Sequence, residues 1–377
     1  LSIVATSLSL PVLGQAESSS TSSTAIGWVL FAVVIIGFAT AVFLNMRRGR
    51  KEVGAELELA ANRRPYLSDE ELEGRKLDRT LGFGLVLLAI VGVALPLYWL
   101  GEPSRQENAA ETFQEQFVGR GEELYNEGAQ CANCHGPNGV GGVAQTSLLN
   151  DRGQFVSLIN WQAPALDTVL YRYSEEEVFE ILQYGRAQSP MAAWGSLGGG
   201  PLTDQQLWNI IDYLETIQLP ADEVRESVAK ELADTCAPDD AGLCTLPGAE
   251  FATVGEAMFN MGLNTGFAGG AFSCGRCHTA GWSWGDPGVA GGGALGPNLT
   301  NGATLRQFPT VQSQIDFITE GAEKGKAYGA NGQAGDGTMP GYGLNPNATE
   351  DGSLMSPDQT MYTPDQIRAV VNYERGM

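Results

Sequence analysis

Cys131-Ala132-Asn133-Cys134-His135 and Cys274-Gly275-Arg276-Cys277-His278 are two copies of one pattern: two cysteines three apart, with a histidine directly after the second. Together they take up both histidines of the 377-residue chain and four of its six cysteines. Each copy lies inside a longer internal repeat. Gly121 with Tyr125 precedes the first and Gly255 with Phe259 the second, a spacing that puts glycine and ring on one helix face. Ala163-Pro164-Ala165-Leu166 and Gly296-Pro297-Asn298-Leu299 follow, then Ser189-Pro190-Met191 and Thr338-Met339-Pro340. Each repeat closes on a helix opened by a capping threonine, Thr203 ahead of DQQLWNIIDYL and Thr363 ahead of PDQIRAVVNY.

The spacing has a chemical reason. Two thiols three residues apart add to the vinyl groups of one haem while the adjacent imidazole binds the iron, so both strings read as covalent c-type haem attachment. Zinc is the alternative for paired cysteines, but it wants four ligands from a pool already this small. With both histidines spent, the soft thioether of methionine is the natural sixth ligand. Met191 follows His135 by 56 residues and Met339 follows His278 by 61, each in a short Pro-containing loop. Met258 and Met261, on the helix before the second string, read as core. Met355 and Met361 compete for the second iron, because 22 residues (341–362) separate Met339's loop from its helix against 11 in the first repeat. The glycine-rich run 282–296 lacks the Lys-Ser/Thr ending of a phosphate loop and reads as backbone passing close to the second haem beside Trp282 and Trp284. Cys236 and Cys244 remain and are expected to form a disulfide, worth about 2 to 3 kcal/mol in the chain-entropy picture.

These motifs resemble class I cytochrome c over residues 113–219 and 250–377. The resemblance implies a small helical fold whose first and last helices cross through the Gly/aromatic contacts, with Trp208, Tyr213 and Tyr373 completing the crossings. It also implies that Pro164 and Pro297 offer backbone carbonyls to the proximal imidazoles. The expected cofactors are two covalently bound haem c groups held by Cys131, Cys134, Cys274 and Cys277, with the irons on His135, Met191, His278 and Met339.

Residues 26–44 and 81–100 carry no charge over 19 and 20 residues, each about one hydrocarbon core in length as a helix. Pro96 is expected to kink the second. Nine of the 22 basic residues lie in the loop 45–80, which places that loop in the cytoplasm and everything after residue 100 outside. Residues 1–16 resemble an apolar signal-peptide core and begin an exterior segment, 1–25. The predicted class is mainly α: two N-terminal transmembrane helices, then two cytochrome c domains joined by a connector at 220–249.

Acidic residues outnumber basic ones 44 to 22, which argues against nucleic acid as a partner. The whole net charge of −22 falls after residue 100 and suits a basic electron-transfer partner. Two saturated irons leave no open position for oxygen or peroxide, so the chain is expected to carry electrons rather than catalyse a reaction on its own. A haem enzyme with a labile distal ligand is the competing class. The paired haem domains look like the di-haem subunits of two respiratory families, bc-type quinol-cytochrome c reductases and cbb-type haem-copper oxidases. The strings SPMAAWG, GGPLTDQQL and VVNYER look more like the reductase, and the two N-terminal helices more like the oxidase. The reductase is the favoured expectation, with cytochrome b and Rieske-type subunits as membrane partners; oxidase subunits are the alternative.

Overall fold

The computed structural model describes isolated positions between residues 32 and 47 and residues 72–150, 152–343 and 360–377. The expectations for residues 1–25, for most of the span 26–44 and for most of the loop 45–80 lie outside the described residues. Met355 lies outside them too. The chain divides into two compact units, residues 1–100 and 101–377.

In the first unit, α1 (Leu77–Leu100) follows a π-helical turn at Leu72–Lys76. The 28 residues Glu73–Leu100 are long and apolar enough to cross a membrane, with a mean hydropathy of 2.4 in their most apolar stretch and none of that stretch buried. Helix α1 runs through Pro96 to Leu100 without interruption.

The second unit is mainly helical. Its first half contains α2 (Glu102–Glu123), the short α3 (Ala132–His135), a hairpin of β1 (Gly142–Leu149) and β2 (Phe155–Ala163), α4 (Glu175–Tyr184) and α5 (Asp204–Thr216). Helix α6 (Ala221–Thr235) leads to the second half, with α7 (Val254–Phe259), α8 (Gly275–His278), α9 (Ala303–Gln307), α10 (Val311–Glu320), the two-residue strands β3 (Ala327–Tyr328) and β4 (Gln333–Ala334), and α11 (Pro364–Glu374). Capping boxes start three helices: Ser174 with Glu177 at α4, Thr203 with Gln206 at α5, and Thr363 with Gln366 at α11. Each satisfies two N-terminal N–H donors that the helix cannot, and loss of such a cap costs about 1 kcal/mol.

The two halves repeat one crossing. A Cβ at Gly121 would overlap the Asn209 carbonyl, so α2 and α5 meet in backbone contact; a Cβ at Gly255 would overlap the Ala369 carbonyl, so α7 and α11 do the same. Beside each contact the aromatic rings pack at 5.3 Å, Tyr125 on Tyr213 and Phe259 on Tyr373. Two hydrophobic cores result. Tyr125, Val178, Leu182, Leu207, Ile210 and Leu214 form the first; Met258, Phe259, Ile315, Ile318, Ile367 and Val370 belong to the second.

Two features depart from the sequence expectation. The expected connector, 220–249, contains α6, whose Val224, Val228 and Leu232 are buried in the second core. It ends at the Cys236–Cys244 disulfide, with Cα atoms 4.4 Å apart. The second departure is the antiparallel hairpin between His135 and Pro164, which pairs Gly142 with Ala163 through Leu149 with Phe155. Asn150 turns it by accepting hydrogen bonds from the backbone N–H groups of Arg152 and Gln154. The hairpin also ties the halves together, since Trp161 of β2 packs on Trp284 at 5.1 Å.

Among the described residues the fold buries the carboxylates of Asp167 and Glu374, and the titration of Glu374 is testable. Burial pushes Glu374 up to about 7, against the hydrogen bond that Gln314 Nε2 donates to it at 2.8 Å. Because its folded value lies above the unfolded one, near 4.3, this stabilisation is complete below the unfolded value and is lost as pH rises through about 7. Glu374→Gln keeps an acceptor for Gln314 and removes the proton. Denaturant midpoints from pH 4.5 to 8 should fall less steeply in the variant. Some slope remains, because burial also raises Asp167 to about 6, and burial with a hydrogen bond to Glu175 raises Glu215 to about 7. Parallel profiles for the two proteins would refute the assignment.

Candidate functional site

Helix α3 is a single turn that puts Cys131, Cys134 and His135 on the wall of one cavity of about 220 Å³. Its lining is mostly apolar and includes Leu166, Val169, Leu182 and Ile210, with Met191 and Trp194 from the loop after α4. The Nδ1 atom of His135 lies 2.8 Å from the Pro164 carbonyl oxygen. A carbonyl only accepts, so this contact places the proton on Nδ1 and leaves the Nε2 lone pair free for a metal. Burial pushes the imidazole below its ordinary value and the charges of Arg276 and Arg172 add to that, while the Pro164 carbonyl opposes them. Burial also raises the Cys131 thiol to about 11.

The second string repeats the arrangement. His278 Nδ1 lies 2.8 Å from the Pro297 carbonyl oxygen, and burial lowers its imidazole against that carbonyl's pull. Cys277 lines the same cavity as the first string, with Ser273, Leu295, Pro340 and Tyr342. Cys274 and His278 are buried and, like Met339, do not line it. The four free cysteines of the two strings, each pair beside an imidazole with Nδ1 engaged and Nε2 available, fit the chemistry of covalent haem c.

The methionine loops match in hydrogen bonding as well as in sequence. Helices α4 and α10 end at Gly185 and Gly321, with φ of 71° and 81°, a positive-φ backbone that suits glycine. The next residue in each donates its backbone N–H to a methionine carbonyl, Arg186 to Met191 and Ala322 to Met339, both at 2.9 Å. Three residues after each methionine, Trp194 donates to Leu182 at 2.9 Å and Tyr342 to Ile318 at 3.0 Å. Met339 therefore holds the backbone place in the second half that Met191 holds in the first. The extra residues before it are spent on the β3–β4 excursion. Met361 is buried in the second core with Met258 and Met261.

Sequence reasoning passed over three arginines and two aromatics. Arg172, Arg186 and Arg276 line the cavity, and Arg186 lies over the Tyr173 ring at 5.1 Å. The Arg172 charge pulls against the burial that raises Asp167. Trp194 and Tyr342 were legible as an aromatic three residues past each methionine.

The family model described as cytochrome c oxidase, cbb3-type, subunit III matches residues 117–214. No curated protein and no solved structure matches the chain. Residues 117–214 are a cytochrome c domain, and such a domain carries covalently bound haem c and transfers electrons.

Proposed function

We propose that this chain is a membrane-anchored di-haem c electron-transfer subunit of a respiratory complex, with its haem domains on the outer side of the cell membrane. Haem c supplies a one-electron Fe(III)/Fe(II) couple. The residues around it bind and insulate: thioether links through Cys131 and Cys134 in the first half and Cys274 and Cys277 in the second, proximal imidazoles from His135 and His278 oriented by Pro164 and Pro297, and distal thioethers from Met191 and Met339. The single observation that carries the reading is the repeated geometry of the two strings, in which each imidazole Nδ1 lies 2.8 Å from a proline carbonyl oxygen; Cys277 of the second string also lines the cavity of the first. Helix α1 supports the anchor, and the basic residues of 45–80 support the orientation.

The complex favoured by the strings around Met191 and α11 is a quinol-cytochrome c reductase, with the chain passing electrons toward a terminal oxidase. A second reading, a subunit of a cbb-type haem-copper oxidase, has the match over residues 117–214 in its favour. Mild-detergent purification of the tagged chain from its native membrane should bring down cytochrome b and a Rieske-type protein. Recovery with haem-copper oxidase subunits would establish the second reading, and recovery of the chain alone, in the soluble fraction, would sink both.

A further inference from the structure

Arg276 takes the place in the second string that Asn133 takes in the first, but the two side chains behave differently. Asn133 is exposed and its amide reaches only Gln130, three residues back. Arg276 leaves its own half of the repeat. Its Nη1 donates to the carbonyl oxygens of Gln162 at 3.0 Å and Gly269 at 2.9 Å. Gln162 stands two residues before Pro164, whose carbonyl faces His135 Nδ1. On the other flank, Arg172 Nη2 donates to the Ala165 carbonyl at 2.9 Å.

Two guanidinium groups, one from each half, thus bracket the four residues that carry the proximal carbonyl of the first site. The Ala165 N–H closes the joint by donating to the Ala268 carbonyl at 2.9 Å. A Cβ at Gly269 would overlap the Ala163 carbonyl, so the second half's loop lies directly on this strip. Among the described residues neither arginine forms an ion pair within 4.0 Å. Both line the cavity that holds Cys131, Cys134 and His135, and Arg172 Nε is buried without a hydrogen-bond partner.

We propose that Arg276, a residue of the second haem string, positions the proximal strip of the first haem site and sets the potential of the first haem. The proposal rests on the reading that His135 binds haem iron. A fixed positive charge in a poorly solvated wall disfavours the additional charge of ferric iron, so it favours the ferrous state. Firm hydrogen bonding of His135 Nδ1–H to Pro164 works the other way, by making the imidazole a stronger donor to iron. Loss of a whole charge outweighs loosening of one hydrogen bond, so removing Arg276 should lower the potential.

Spectroelectrochemical titration of the full-length protein tests this, with haem content measured on each sample. Met191→His marks the first midpoint as the one that falls, and Met339→His marks the second. Arg276→Gln should shift the first haem's equilibrium toward the ferric form by about tenfold, about 59 mV for a one-electron couple. The second midpoint should move less. Arg276→Met should do the same, whereas Arg276→Lys, which keeps the charge, should stay within about threefold of the wild type. Nearness in sequence to Cys277 and His278 would by itself make the second midpoint move more. That outcome overturns the proposal, as does a first midpoint unmoved in both neutral variants. A wild-type protein carrying one haem would instead count against the two-haem reading, and the first midpoint would still decide the role of Arg276.

Discussion

Gly255→Val should cost about 3 kcal/mol or more of stability, and Gly121→Val a similar amount. The reason is the identity of what the new side chain meets. At both positions the obstacle is a backbone carbonyl on the crossing helix, Ala369 and Asn209 respectively, backed by the Cβ of a packed tyrosine. A flexible side chain could turn aside; a helix backbone moves only if the crossing opens, which would also separate Phe259 from Tyr373 or Tyr125 from Tyr213. A loss of this size is a large share of the roughly 5 to 15 kcal/mol that typically holds a domain together. Gly119 is the internal control: it lies in α2, where an added Cβ would meet nothing within 4 Å, so Gly119→Ala should stabilise by about 0.5 to 1 kcal/mol through helix propensity. Chemical denaturation of the wild type and the three variants provides the comparison. Equal midpoints for Gly119→Ala and Gly255→Val would mean that the crossing is not where the fold's stability resides.

Met339→His should leave the second haem attached and lower its potential markedly, because imidazole favours ferric iron more than a thioether does. Met191→His should do the same to the first haem. On the proposed reading covalent attachment depends on the cysteines and should proceed in either variant. The expectation for Met339 rests on the hydrogen bonds that Ala322 and Tyr342 make around it, which repeat those of Arg186 and Trp194 around Met191. Met361→Leu, a replacement inside the second core, should leave both midpoints in place. If Met361→Leu moved the second midpoint and Met339→His did not, the distal ligand would have to be reassigned to Met361.

The parts of this molecule that were legible in its sequence are those whose chemistry is local. Thiol, thiol and imidazole must fall within five residues to serve one haem, so the proposal of haem attachment at 131–135 and 274–278 could be made from sequence alone. The close approach at Gly121 and Gly255 likewise leaves a Gly/aromatic pair one helical turn apart, and the capping threonines mark where α5 and α11 begin. Helix α6 was hidden by its charge, although Ala221, Val224, Val228 and Leu232 recur at helical spacing and could have shown a buried stripe. The hairpin was harder, because several of its apolar residues, Val143, Leu149, Phe155 and Leu158, face outward and the pattern does not point to a core. Arg276 was beyond reach: its partner Gln162 is 114 residues away, and only the packing of one half on the other joins them.

Whether both strings carry haem is decided by the mass of the intact, denatured protein. Thioether-bound haem survives denaturation, so the wild type should weigh the polypeptide plus two haems, and Cys131→Ala/Cys134→Ala and Cys274→Ala/Cys277→Ala should each weigh one haem less. A wild-type protein that matures in a cell competent for c-type cytochromes and yet carries a single haem would contradict the two-haem reading.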